Sequence, residues 1–319
     1  MSAPHVPVML EEILDYLKPA LGAPGAVAVD GTLGAGGHTE AMLEAHPELT
    51  VIGLDRDPSA LAIAGERLER FGERFVPYQA VYDAIGDVAR ELGRESVDAV
   101  LFDLGVSSMQ IDRTERGFAY STNAPLDMRM DPGDGLTAER VLATYEEKDL
   151  ARILRVYGEE KFASRIARAV VEARSSRPIA TSESLVDLVR EAIPAAARRK
   201  GGNPAKRTFQ ALRIEVNREL DTWERALPAA LDLLAPGGRI AVLSYHSLED
   251  RITKRELSRR SKSTSPKGLP VELPGTGPTF KAQSNKARQP SAAEQARNPR
   301  SAPARLRCAE RLTDTSPGG

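Results

Sequence analysis

Residues 26–43 read AVAVDGTLGAGGHTEAML: an apolar, β-branched run closing on Asp30, a cluster of glycines, and then a stretch suited to a helix. A strand that passes through a glycine loop into a helix opens a nucleotide-binding α/β unit. The glycines fall at 31, 34, 36 and 37, and the position three after Gly36 is Thr39. The dinucleotide fingerprint G-x-G-x-x-G is therefore absent. No G-x-x-x-x-G-K-[ST] occurs in the chain either, which disfavours a phosphate-loop ATPase or GTPase.

Working outward, TVIGLD (50–55), FVPYQAVY (75–82) and VDAVLFDL (97–104) are further apolar runs, and helix-compatible sequence follows the first two. VMLEEILDYL (8–17) has apolar residues at helical spacing and predicts a helix leading into the fold. Strands apolar on both faces, alternating with helices, predict a mostly parallel sheet covered on both sides. The next strand of this kind is GRIAVLSY (238–245), so 133 residues, 105–237, stand where an ordinary crossover needs a few tens. The expected organisation is a core in two parts, 1–104 and 220–312, with a helical insertion over 105–219. In the insertion, EEKDLARILRVYGEEKFASRIARAVVEARS and SESLVDLVREAI read as helices. A long amphipathic helix should follow, capped by Asn203 with Pro204 in its first position, and Pro228 should kink or interrupt it. Beyond about residue 260 the chain turns to Ser, Pro, Lys and Arg; PVELP and ARLRCAERL are candidates for two added edge strands.

The chain has 319 residues, 41% hydrophobic and 28% charged, enough for a full core. No apolar run approaches the roughly 20 residues that cross a bilayer, and acids stand near the N-terminus where a signal peptide carries bases, so a cytoplasmic protein is expected. One cysteine, Cys308, and four scattered histidines exclude an internal disulfide and show no zinc-type spacing; no metal is expected. The net charge of −1 conceals segregation. Residues 151–218 hold 15 Lys/Arg against 7 Asp/Glu, and 251–319 hold 15 against 5, leaving the rest at −19. A basic run is often only a solvated face, but two of them beside an acidic body favour a polyanionic partner.

The predicted strands end in acids: Asp30, Asp55 with Asp57, and Asp103. In a parallel sheet those ends meet where ligands bind. A carboxylate about 4 Å from a unit charge is worth about 4 kcal/mol at an effective dielectric of 20. Such a crevice opposes a pyrophosphate and favours a cation. S-adenosylmethionine fits, with a sulfonium, an ammonium and a ribose diol for which Asp55 is the natural acceptor.

VDGTLGAGGHTEAML, GLDRDPSAL, LFDLGVSSMQID, ERGFAY, PLDMRMD, GEEKFASRIARAVV, NPAKRTFQALRIEVNREL, LAPGGRIAVLSYHSLEDRITKR and NPRSAPARLRCAER resemble, in order, the blocks of the bacterial MraW/RsmH family, from about residue 5 to 312. The resemblance implies a class I, Rossmann-like S-adenosylmethionine-dependent methyltransferase acting on the N4 amine of a cytidine in small-subunit ribosomal RNA, naked or in the assembled subunit. It also implies that Gly36, Gly37 and His38 lie under the methionine part of the cofactor, that Asp55 holds the ribose, that Tyr82 flanks the adenine, and that Asp103 and Gln110 complete the site. Without the family, His38 reads equally as a water-exposed residue at a helix start and Tyr82 as a strand-end aromatic.

Many amino-methyltransferases carry D/N/S-P-P-Y/F after the fourth strand. Here DLGVSS stands instead, which makes Asp103 and the Leu104 carbonyl the nearest amine acceptors and leaves base stacking to Phe118 or Tyr120. His246, at the end of the fifth strand, could face the same crevice. Two other readings stay open: a nicotinamide-dependent oxidoreductase, which needs a pyrophosphate beside Asp30, and a non-catalytic RNA-binding ribosome assembly factor with an empty methyltransferase fold.

Overall fold

The computed structural model describes residues 7–105, 116–198, 203–266, 273 and 275–313. Gln110, and Arg199 and Lys200 of the basic run, lie outside the described residues. The chain divides into two compact units, residues 1–105 with 221–319 and residues 106–220.

In the first unit the strands are β1 (Val27–Asp30), β2 (Thr50–Asp55), β3 (Phe75–Gln79), β4 (Val97–Asp103), β5 (Leu234–Ser244), β6 (Phe280–Ala282) and β7 (Arg305–Arg311). They form one sheet in the order β3-β2-β1-β4-β5-β7-β6. The first five run parallel; β7 pairs antiparallel with β5 and with β6. The chain order reverses between β1 and β4, so the carboxyl ends of these two strands border the switch point where α/β sheets bind ligands.

Side chains alternate across this sheet, and its two faces have different tasks. Ala28, Ala99, Leu101, Ala241 and Leu243 belong to one core layer with Ile13, Leu17 and Leu21 of the helix Leu10–Leu21. On the opposite face Phe102 packs edge-on against Trp223 and Tyr82, with ring centroids 4.9 and 5.8 Å away. The crossover helices are Gly37–Ala45, Pro58–Leu68 and Ile85–Glu91, the second capped by Asp57, whose side chain accepts from the Ser59 amide. Asp57 with Pro58 at the first helical position is the start signal that the sequence carries in RDPSAL.

Several sequence expectations need adjustment. The added edge strand adjoining β7 is Phe280–Ala282; of PVELP only Leu273 is described. β3 stops at Gln79 and Tyr82 starts a 3-10 turn, because the chain turns out of the sheet after Ala80, whose amide still reaches the Asp55 carbonyl. Asn203 caps a turn ahead of the helix: its side chain accepts from the Ala205 amide and the helix starts at Lys206. The long amphipathic segment breaks at Arg218, whose φ is 52°, and Pro228 lies inside the helix Glu219–Leu233.

The second unit is helical, with Ala138–Thr144, Glu147–Val156, Ala163–Arg174, Ser182–Ala192 and Lys206–Asn217 around a core that includes Leu142, Ile153, Ile166, Leu185 and Leu212. The motif PLDMRMD forms an internal brace. Arg129 donates to both Asp127 oxygens at 2.7 and 2.8 Å, and buried Asn217 accepts from the Met130 amide while donating to the Met128 carbonyl, each at 2.8 Å. Gly117 in ERGFAY has φ 68°, and a Cβ there would come within 2.0 Å of the Pro125 carbonyl oxygen. Only glycine fits at that position.

Candidate active site

The glycine loop is tied down by backbone bonds. Gly31 donates to the Leu101 carbonyl, Leu33 to that of Leu54, and Gly36 to that of Leu33. Gly36 immediately precedes the helix Gly37–Ala45, with φ 77°, and a Cβ there would press on Leu68 at 2.9 Å. Left-handed backbone and lack of room both require glycine, which lets the loop turn tightly into the helix start. Gly37 packs against Pro7.

Asp55 ends β2 and accepts from the Gly34 amide through Oδ2 at 2.9 Å and from the Asp57 amide through Oδ1 at 2.8 Å. It thus links the glycine loop to the next turn, and each carboxylate oxygen keeps capacity for a further donor. Burial pushes its carboxyl above the ordinary range, against the two amide bonds that pull it down.

Asp30 is 2% exposed; Thr39 donates its hydroxyl to Oδ2 at 2.8 Å and the Thr32 amide donates to Oδ1 at 3.2 Å. Burial pushes its carboxyl up to about 6, with His38 and the two donors opposing. Between about pH 4 and 6 the folded chain therefore holds a proton there that the unfolded chain has lost, so Asp30 costs stability as pH rises, up to about 3 kcal/mol above pH 6. Asp30→Asn is expected to melt several degrees above the wild-type protein at pH 7.5, with the difference vanishing below pH 4. Melting curves at the two pH values check this; an equal or lower melting point at pH 7.5 contradicts it.

Asp103 closes β4 beside these groups. Its amide donates to the Thr32 hydroxyl at 2.6 Å, and its side chain retains 26% of its exposure. The Tyr245 hydroxyl donates to Oδ1 at 2.8 Å, and His38 Nδ1 lies 3.9 Å from Oδ2. His38 is buried, contrary to a water-exposed helix start, and its Nε2 lies 3.1 Å from the Val8 carbonyl. A carbonyl only accepts, so Nε2 carries a proton. Tyr82 packs edge-on against Phe102 and Trp223, on the sheet face opposite Asp103.

His246 takes a structural place. It caps the helix Ser247–Arg260, its Nδ1 accepting from the Glu249 amide at 3.4 Å and its Nε2 lying 3.0 Å from Glu249 Oε1. Within the helical unit Phe118 packs on the core, whereas Tyr120 is 36% exposed and edge-on to Phe209. Tyr245 was missed by the sequence reading, because its place follows from a strand register that only the structure gives. Leu243 is the register partner of Asp103, so the residue two positions later stands on the same face at the same strand ends.

The residues suit the cofactor that the sheet implies. Asp55 and Asp103, the two strand-end acids that keep exposure, offer acceptors suited to a diol and a cation, and buried Asp30 lies behind them. This sheet order and this acid-ended switch point define a class I S-adenosylmethionine-dependent methyltransferase. The chain belongs to the MraW methylase family, whose model matches residues 2–312. It is 61% identical over 313 residues to the ribosomal RNA small subunit methyltransferase H of Salinispora arenicola, covering 98% of this chain and 84% of that protein. It is 58% identical over 309 residues to the protein of the same name from Mycolicibacterium gilvum, covering 97% and 83%. Among solved structures, a rRNA methylase from Streptococcus thermophilus aligns over 97% of this chain and 99% of its own, at 14% identity and a TM-score of 0.45. Family membership removes the nicotinamide reading. Among the described residues no helix is long and apolar enough to cross a membrane.

Proposed function

We propose that this protein methylates small-subunit ribosomal RNA and that its target is the N4 amine of a cytidine. The observation that carries the reading is Asp103, a partly exposed carboxylate at the switch point, held from one side by Tyr245 and approached from the other by His38. The names of the relatives supply the RNA class. The amine reading comes from the family resemblance, and Asp103 is the group whose chemistry fits it.

An exocyclic cytosine amine is a poor nucleophile, since its lone pair is delocalised into the ring. S-adenosylmethionine supplies the electrophilic methyl group. The chain must then localise the lone pair, and an anionic acceptor on one N–H does so while stabilising the positive charge that grows on nitrogen. Asp103 takes that role, with the Leu104 carbonyl as acceptor for the second N–H. Gly36, Gly37 and His38 are assigned to the methionine part of the cofactor, Asp55 to the ribose hydroxyls, Tyr82 to the adenine edge and Gln110 to the remaining wall. Phe118 or Tyr120 is assigned to stacking on the target base.

Mass spectrometry of small-subunit RNA from cells lacking the protein tests the reading. One N4-methylated cytidine should be missing and should return with the wild-type gene. Loss of a methyl group from carbon or ribose contradicts the amine assignment, and an unchanged RNA leaves only the assembly-factor reading.

The helical insertion is assigned to RNA contact. Its basic run ARRKGGNPAKR (197–207) is the candidate phosphate-binding segment. Neutralising Arg198, Arg199 and Lys200 together should weaken RNA binding and flatten its salt dependence by up to about 0.7–0.9 in slope per lost contact. Affinity for S-adenosylhomocysteine should not change. An unaltered salt slope returns these residues to a solvated face.

A further inference from the structure

We propose that Tyr245 is a positioning residue for methyl transfer, whose hydroxyl holds the Asp103 carboxylate ionised and fixed in orientation for the target amine. The inference rests on the reading of Asp103 as the amine acceptor.

Tyr245 is the first residue after β5 (Leu234–Ser244) and lies two positions past Leu243, the register partner of Asp103. The parity of the sheet puts both side chains on one face, and the phenol hydroxyl donates to Asp103 Oδ1 at 2.8 Å. The aim of the ring is fixed from behind. Glu249, 3% exposed, accepts through Oε2 from the amides of Tyr245 at 2.8 Å and His246 at 3.2 Å, so the turn out of β5 is pinned at both residues. The ring lies beside Gly105, where a Cβ would stand 3.7 Å from Cδ2.

The charges around this pair explain why a donor is needed. From β1 comes Asp30, from the helix Ser247–Arg260 comes Glu249, and from the helix Ala292–Arg297 comes Glu294. Asp30 and Asp103 disfavour each other's charge, while Glu249 and Glu294 disfavour loss of the Tyr245 proton. Against the charge of Asp30 stand His38, on the Oδ2 side, and the Tyr245 hydroxyl on Oδ1. A hydrogen bond donated to the ionised form favours that form. Burial and the neighbouring Asp103 push the phenol well above its ordinary range, so Tyr245 stays protonated and acts only as donor throughout the working pH range.

Tyr245→Phe keeps the ring and removes the donor. Single-turnover methylation at saturating S-adenosylmethionine should fall about 10-fold, the low end for losing a hydrogen bond to a charged group. The acid limb of the rate should move to higher pH by about one pH unit, because a carboxylate without its donor takes up a proton more readily. Affinity for S-adenosylhomocysteine and the melting point should remain near wild type. The double variant with Asp103→Asn should be no slower than Asp103→Asn alone.

A Tyr245→Phe protein with wild-type rate and an unmoved acid limb, in a preparation where Asp103→Asn is slow, overturns the role of Tyr245 and leaves that of Asp103 standing. A rate loss that follows weakened cofactor binding or a lowered melting point also overturns it, since Tyr245 is then structural. Wild-type turnover by Asp103→Asn overturns both assignments.

Discussion

Asp103→Asn is expected to transfer methyl groups about 100- to 1,000-fold more slowly than the wild-type protein, the usual loss when one preorganised stabiliser of a developing charge is removed. Asparagine preserves the size and one acceptor oxygen but loses the negative charge. In the structure the change has a second effect, because Tyr245 donates to Oδ1 and an asparagine that keeps its oxygen there turns its NH2 toward His38. The reacting side of the carboxylate then presents a donor where the amine needs an acceptor. Single-turnover methylation with cofactor saturation verified separately is the measurement. A residue that only bound cofactor would show a raised KM with turnover restored at saturation. Near wild-type turnover would place the acceptors elsewhere, with the Leu104 carbonyl the next candidate.

Asp55→Ala is expected to weaken S-adenosylhomocysteine binding by on the order of 1.5–3 kcal/mol, or about 10- to 150-fold. The acceptor proposed for the ribose diol accounts for part of this. The rest comes from the loop, since the same carboxylate accepts from Gly34 and Asp57 and both amides lose their partner. Asp55→Asn separates the contributions: it keeps one carbonyl oxygen for an amide and sacrifices the other, so its loss should fall between wild type and alanine. Calorimetric titration of the three proteins checks the order. Unchanged affinity in Asp55→Ala would remove the residue from the ribose site.

The strand-end positions of these two residues were legible in the sequence, and the reason is local. Each stands at the end of an apolar run of strand length, and a parallel sheet assembles such ends at one edge. The absence of a third glycine after Gly36 excluded dinucleotide geometry by spacing alone. His38 was legible only through the family blocks: its burial depends on Val8 and Pro7 packing over the helix start, and nothing in the loop sequence signals that cover. His246 was open to two readings for a related reason. A polar residue after a strand can face the crevice or cap the next helix, and Glu249 three positions later already formed the capping pattern that decides between them.

The sequence by itself determined the class of fold, the family, the acid character of the switch point and the positions of Gly36, Asp55 and Asp103 in the strand-loop-helix order, because these follow from periodicity, strand ends and motif blocks read within a few tens of residues. Only the tertiary structure decided which side chains meet. Tyr245 reaches Asp103 across 142 residues of chain, β7 turns antiparallel against β5, and the break in the long helix falls at Arg218, not Pro228. The physical reason is common to all three. Strand register and close packing set these contacts, and both are properties of elements already assembled, to which spacing along the chain gives no direct access.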